Sequence, residues 1–209
     1  MFLSPDEAKR YHDIYPALLR FAVERVAPAS IKQDLLRMLR VEIRAAAANA
    51  RDLLFDNPEL IIEFVQENPA SLDPRDLEIA RSWTTFRKGK FVILRTLRHY
   101  AVFIAADEPA SVYGVLGLFS KTEQMLGSRP LPALVETVLL PWEGRVIHDG
   151  FFRPFDVALG PNIRQKLQAE FLKAKASNAI VTSFVSGLRS VFEANSVPPD
   201  VRTSSPAEI

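Results

Sequence analysis

Glu136, His148 and Asp149 are the residues whose types could do acid–base chemistry, an imidazole and two carboxylates on neighbouring segments. Whether they meet depends on the turn between them. If Glu143-Gly144 is a two-residue hairpin turn, Leu140 faces Ile147, Val138 faces Asp149 and Glu136 faces Phe151. Glu136 and Asp149 then lie on one face as diagonal neighbours, while His148 goes to the opposite face with Thr137 and Leu139. This register argues against a His–Asp dyad. Two carboxylates on one sheet face could hold a divalent cation or serve as acid and base, and the plainer alternative is that one of them pairs with an arginine such as Arg145.

The second constellation is basic. Residues 81–106 carry six Lys or Arg and no Asp or Glu, against ten and fourteen in residues 1–80. Arg81, Arg87, Lys88, Lys90, Arg95, Arg98 and His99 alternate with Trp83, Phe86, Phe91 and Tyr100. Small β-barrels bind single strands by this combination, with cations on phosphates and rings stacked on bases at about 1–3 kcal/mol each. The alternative is that Phe86 and Phe91 belong to the core and the cations solubilise a sheet edge or lie on acidic helices. The candidate contact residues for a nucleic acid or other partner are Arg87, Lys88, Lys90, Arg95, Arg98, His99 and Tyr100.

A third set, Arg37, Arg40, Arg44 and Arg51, falls on one face of a helix by its spacing. It reads as a solvated face balanced by Asp34, Glu42 and Asp52. Ser183 and Ser186 have no nucleophile motif around them. Gly114 and Gly117 mark bending or close backbone approach, since no helix start follows them as a phosphate loop requires. With no cysteine and only three histidines, the chain offers no disulfide scaffold, thiol nucleophile or cysteine zinc site, and no cofactor or metal is expected.

These residues are positioned by three kinds of element. Ser4-Pro5-Asp6-Glu7 is a capping box that opens a helix, with Ile14, Leu18, Phe21, Ala22 and Val26 along its buried stripe and Pro16 expected to kink or interrupt it. Ser30 to Gln33 is a second box opening one long helix to about Phe55. Asn57-Pro58 and Asp73-Pro74 start two shorter helices near 58–67 and 74–82. Five strand-sized runs then follow, at Phe91 to Leu94, Tyr100 to Ile104, Val112 to Leu118, Leu134 to Leu140 and Val146 to Ile147. Ser120 to Glu123 with Gly127 predicts a turn or two of helix between the third and fourth. A turn at Arg98-His99 would set Arg95 opposite Val102 and Ile93 opposite Ile104. Both faces of that hairpin are apolar, so the strands should curl into a barrel or sandwich covered by helices. Gly160-Pro161 opens a helix to about Lys175, the spacing of Ile180, Phe184, Leu188, Val191 and Phe192 predicts another, and residues 196–209 have the composition of a disordered tail.

Phe86 to Arg95, Val112 to Leu118 and Leu134 to Gly150 together resemble a block that recurs in an uncharacterised bacterial protein family to which no activity attaches. The resemblance implies a bacterial origin and the unity of the strand block.

The expected fold is therefore α+β. An N-terminal helical bundle (1–82) packs on a five-stranded antiparallel small barrel or bent sheet (83–155), followed by C-terminal helices (156–195) and a tail (196–209). The acidic start and the lack of a long uncharged apolar run predict a cytoplasmic protein with no membrane contact. The leading functional reading is a non-enzymatic binding or interaction module whose partner is a protein, a second copy of itself, or RNA or single-stranded DNA. The alternative is a carboxylate hydrolase using Glu136 and Asp149.

Overall fold

The computed structural model describes residues 2–40, 44–119, 125–126 and 129–184. The Ser120–Glu123 capping box with its Gly127 cap, the helix expected over residues 185–192, the tail, and the side chains of Arg40, Glu42 and Arg44 lie outside the described residues.

Ser4 caps α1 (Pro5–Val26) as its sequence predicts, its hydroxyl accepting from the Glu7 amide while the Glu7 carboxylate reaches back to the Ser4 amide. The helix runs through Pro16 without interruption and buries Ile14, Leu18, Phe21 and Ala22. The expected single long helix is instead two, α2 (Ala29–Arg40) and α3 (Arg44–Asp56), both packed on α1 and on each other, which a single straight rod would not allow. Ser30 lies within the first turn of α2 and is not its cap. The short helices α4 (Glu59–Glu67) and α5 (Pro74–Ser82) complete the layer, with Asp73 capping α5 through the Asp76 amide at 2.9 Å.

The strands are β1 (Arg87–Thr96), β2 (Ala101–Ala105), β3 (Val112–Leu116), β4 (Ala133–Trp142), β5 (Arg145–His148) and the two-residue β6 (Arg153–Pro154). β1 pairs with both β2 and β4, β2 with β3, β3 with β5 and β5 with β4, so five strands close on themselves as a barrel. The sheet is mixed, because β3 and β5 run parallel, and β6 adds a sixth strand beside β4. Inside the barrel lie Phe91, Ile93, Phe103, Val115, Val135, Leu139 and Val146. The alternate residues Val138, Leu140, Trp142 and Ile147 join one continuous core with the helices. Both faces are thus dry over Phe91 to Leu94, over β2 and over the second half of β4, which accounts for their nearly unbroken apolar runs.

The β4–β5 turn has the predicted register, Leu140 opposite Ile147, with Glu143 and Gly144 both at positive φ (44° and 77°) as a two-residue hairpin turn requires. Past Asp149 that register ends. Gly150 takes φ 85°, the chain advances, and Glu136 faces Arg153 rather than Phe151. In the first hairpin Arg95 faces Val102 as expected, but a bulge between Ile93 and Arg95 puts Ile93 opposite Phe103 rather than Ile104. Successive residues serve different layers through the pleat of the strand, Ile93 inside the barrel and Leu94 against the C-terminal helix α6 (Pro161–Ala176).

Helix α6 covers the outer face of β2 and β3, where Phe171 and Ala174 bury Val102, Ile104 and Val112. After it the chain is extended, not helical as its spacing predicts: Val181 bridges Tyr113 in parallel, donating to the Val112 carbonyl at 2.8 Å and accepting from the Gly114 amide at 3.0 Å. Its β-branched residues suit that strand-like role. Gly114 lets the segment approach, because a Cβ there would stand 2.9 Å from the Tyr100 ring and 3.0 Å from the Thr182 methyl. Gly114→Ala is accordingly expected to lower folding stability by about 1–3 kcal/mol in urea unfolding. Among the described residues no helix is long and apolar enough to cross a membrane.

Candidate functional site

Asp149 follows the last residue of β5, on the strand face turned toward the helices, and the left-handed Gly150 bends the chain away beyond it. Its side chain is 1% exposed, and burying a carboxylate this deeply requires donors on both oxygens. Oδ1 accepts from the Thr137 hydroxyl at 2.9 Å and from the Phe151 amide at 3.1 Å. Oδ2 accepts from the Tyr15 hydroxyl at 3.4 Å and lies 3.7 Å from Nη1 of Arg51. The backbone carbonyl of Asp149 accepts from the Tyr11 hydroxyl at 2.8 Å. Tyr11 and Tyr15, four residues apart on α1, stack with ring centroids 5.1 Å apart and pack against Trp83.

Arg51 is 1% exposed and supplies the positive charge of this layer. The solvated arginine face expected of it is corrected: Arg37 is exposed and pairs with Asp34, but Arg51 points inward to Asp52, Asp149 and the Phe151 carbonyl. Because α2 and α3 are separate helices, the spacing from Arg37 to Arg51 does not define a common face. Within α3, Arg51 follows Ala47 by four and precedes Leu54 by three, so it belongs to the alanine stripe. A cation set in a run of small apolar residues was the signal for it.

Burial pushes the Asp149 carboxyl up to about 6, against the opposing pull of Arg51 and the hydrogen-bond donors. Burial likewise holds both phenols protonated far above their ordinary range, and the negative charge of Asp149 adds to it. His148 is sent to the other side of the strand, beside the Phe152 ring at 4.7 Å. Its Nδ1 accepts from the Gly150 amide at 3.0 Å, Nε2 has no partner among the described residues, and burial lowers its pKa to about 3. The separation of His148 from Asp149 is as the register predicts. Thr137, which that register sets on the face of His148, gives its hydroxyl to Asp149.

Above Asp149 opens a cavity of about 440 Å³. Tyr11, Tyr15 and Leu19 of α1 form one wall, Leu39 and Ala47 a second, and Leu118, Met125 and Phe151 a third. His12, Arg20 and Phe119 stand at its rim, all exposed, with the His12 imidazole stacked on the Phe119 ring at 4.5 Å. Glu136 does not line this cavity; it pairs with Arg153 at 3.2 Å. Each of the two carboxylates therefore has its own arginine, Arg51 or Arg153. Arg145, the expected partner, serves Glu7 instead and holds that carboxyl down to about 2, outweighing burial with help from Ser4.

The basic cluster spreads over several surfaces. Arg87 pairs with Asp107, and Lys88 with Asp56 at 2.7 Å and Asp52 at 3.4 Å on α3. Lys90 lies over the Phe155 ring at 5.1 Å, and Arg95 bonds Gln168 and lies over Phe171 on α6. Arg98 and His99 are exposed in the β1–β2 turn, with no ion pair among the described residues. The rings proposed to stack on bases are mostly internal: Trp83 is buried and donates to the Pro141 carbonyl, Phe91 is inside the barrel, and Phe86 packs on Phe55. Tyr100 is half-buried in the layer between the barrel and α6.

Comparison with protein-family models, with curated proteins and with solved structures returns no match.

Proposed function

We propose that this chain is a non-enzymatic binding module and that its ligand is a small molecule held in the cavity above Asp149. The observation that supports the reading is the pairing of a largely apolar cavity of about 440 Å³ with a polar floor. That combination is the ordinary form of a small-molecule site, in which apolar walls supply affinity and a few fixed polar groups supply orientation. Asp149 suits a part of the floor that holds the two phenols in place better than a base, because both its oxygens already accept from the protein. The Tyr11 and Tyr15 hydroxyls donate to Asp149 and keep lone pairs with which to accept from a ligand.

The test is a thermal-shift and ligand-observed NMR screen of small apolar and amphipathic molecules, run on the wild type and on Ala47→Phe, which fills the cavity from α3. Ligands of the site raise the stability of the wild type, by about 2.7 kcal/mol at a hundredfold excess over Kd. They leave Ala47→Phe unshifted. A screen whose hits bind both proteins equally would move the site elsewhere.

A second reading, single-stranded nucleic acid, draws on the barrel. Its five strands and the parallel closure of β3 on β5 are the connectivity of OB-type Greek-key barrels, whose β2–β3 face and β1–β2 loop take oligonucleotides. Here α6 lies on that face, leaving the Arg98-His99 turn as the accessible part. Under this reading Arg98→Glu weakens retention of a deoxythymidine or uridine oligomer at about 50 mM salt more than Lys88→Glu does, since Lys88 is already held by Asp52 and Asp56. No retention by the wild type ends it.

A further inference from the structure

We infer that the ligand of the Asp149 cavity is an amphipathic anion, a hydrocarbon or aryl body ending in one carboxylate, bound body inward with its charge at the rim. The inference rests on the small-molecule reading above and deepens it. Three features of the cavity carry it.

The first is the charge at the mouth. Among the described residues, the titratable or charged groups that line the cavity besides the phenols are His12 and Arg20, exposed at the rim, and Asp149, enclosed at the floor. The other cations of α1 have acidic partners: Lys9 has Asp13, Arg10 has Asp76 and Glu143, and Arg25 has Glu63 and Glu67. Arg20 has none among the described residues. The acids on its far side, where it also borders a shallow hollow with Asp13, Asp73 and Asp76, are engaged by Lys9, by the α5 cap and by Arg10. A guanidinium beside an apolar cavity, with no fixed counter-ion among the described residues, is suited to a carboxylate, which it can meet with two parallel hydrogen bonds.

The second is the floor. The donors there, the two phenol hydroxyls included, are already spent on Asp149, so the floor offers a carboxylate no free donor and an anionic ligand lies with its charge at the rim. The third is the shape of the lip. Phe119 is 47% exposed, a large ring left in solvent, and it is held against His12 where an entering alkyl chain or ring would pass.

The test uses the intact protein and three probes matched in chain length: decanoate, decan-1-ol and decyltrimethylammonium, titrated below their micellar concentrations by calorimetry. The wild type is expected to bind decanoate about tenfold more tightly than decanol and to give no heat with the cation; tenfold is the scale of one charge-assisted hydrogen-bonded contact. Shortening decanoate to octanoate and hexanoate weakens binding about fourfold per methylene, because each buried CH₂ contributes a fixed increment. Arg20→Gln brings decanoate down to the affinity of decanol, and Ala47→Phe abolishes both. Equal binding of decanol and decanoate, or tighter binding of the cation, overturns the anion while leaving the cavity reading intact. No binding of any probe to the wild type removes the anion, and if the wider screen then finds no ligand sensitive to Ala47→Phe, the cavity reading falls as well.

Discussion

Arg51→Met is expected to lower the free energy of unfolding at pH 7 by about 3–5 kcal/mol, the range for breaking a buried ion pair by removing one partner. Methionine keeps the length of the side chain and its apolar stem, so the loss reports on the guanidinium and not on an empty space. What remains is Asp149, 1% exposed, with its neutral donors and no cation. Its pKa then rises beyond about 6, and it stays protonated to higher pH. The deficit is therefore expected to narrow on acidification from pH 7 to 5, where Asp149 is largely protonated in the wild type too. Urea unfolding at both pH values measures it. A loss under about 1 kcal/mol at pH 7 would show that the guanidinium is not held in the core.

The second large effect is hidden in the wild type. Asp149 has a folded pKa of about 6 against 3.8, so as pH rises through that window the unfolded chain gives up its proton first and stability falls, by about 3 kcal/mol in all. His148 has a folded pKa of about 3 against 6.5. As pH falls through its window the unfolded chain takes up a proton that the folded chain refuses, and stability is lost by about 4–5 kcal/mol. Between pH 4 and 6 the two slopes oppose each other: folding puts one proton on Asp149 and removes one from its neighbour. Each single variant uncovers the other residue. His148→Gln is expected to lose about 2–3 kcal/mol, relative to wild type, on going from pH 4 to 6, and Asp149→Asn to gain about 2 kcal/mol. Taking differences from wild type removes the shared acid-limb contributions of Glu7 and Asp52, whose carboxyls are held below their ordinary range. Parallel profiles for all three proteins would show that neither side chain is buried in these protonation states.

Local chemistry made much of the fold legible in the sequence. The Ser4–Glu7 box, Asp73-Pro74 and Glu143-Gly144 mark element ends through hydrogen bonds or φ values that involve only a few consecutive residues. The alternation of the strands, apolar on both faces, likewise anticipates a barrel dressed by helices. What depends on distant partners was not legible. The parallel β3–β5 pair, the bulge beyond Ile93 and the strand-like course of Val181 are settled by which segment lies alongside, and neither spacing nor propensity records that. The site divides in the same way. The register separated His148 from Asp149, but nothing local to Asp149 points to Arg51, nearly a hundred residues earlier, or to the two tyrosines of α1. The basic run was visible as composition. Its distribution among α3, Asp107, Phe155 and α6 follows from the twist of β1 and from the acids and rings that the fold sets beside it.

The stretch from Val112 to Gly117, β3 and the residue after it, is hydrogen-bonded from each end of the described chain. The Leu3 amide donates to the Gly117 carbonyl at 3.1 Å, just beyond the strand, and Val181 completes its first half. For a chain made on the ribosome, amino end first, this sets an order. Residue 3 must wait for residue 117 to emerge, and the free side of the first half of β3, which β5 does not reach, stays open until residue 181 has cleared the exit tunnel. Throughout that interval the backbone of Val112 and Gly114 is an unpaired strand edge, the kind that recruits other nascent chains. The segment after α6 is thus the last piece laid against β3, and its arrival covers that stretch of edge.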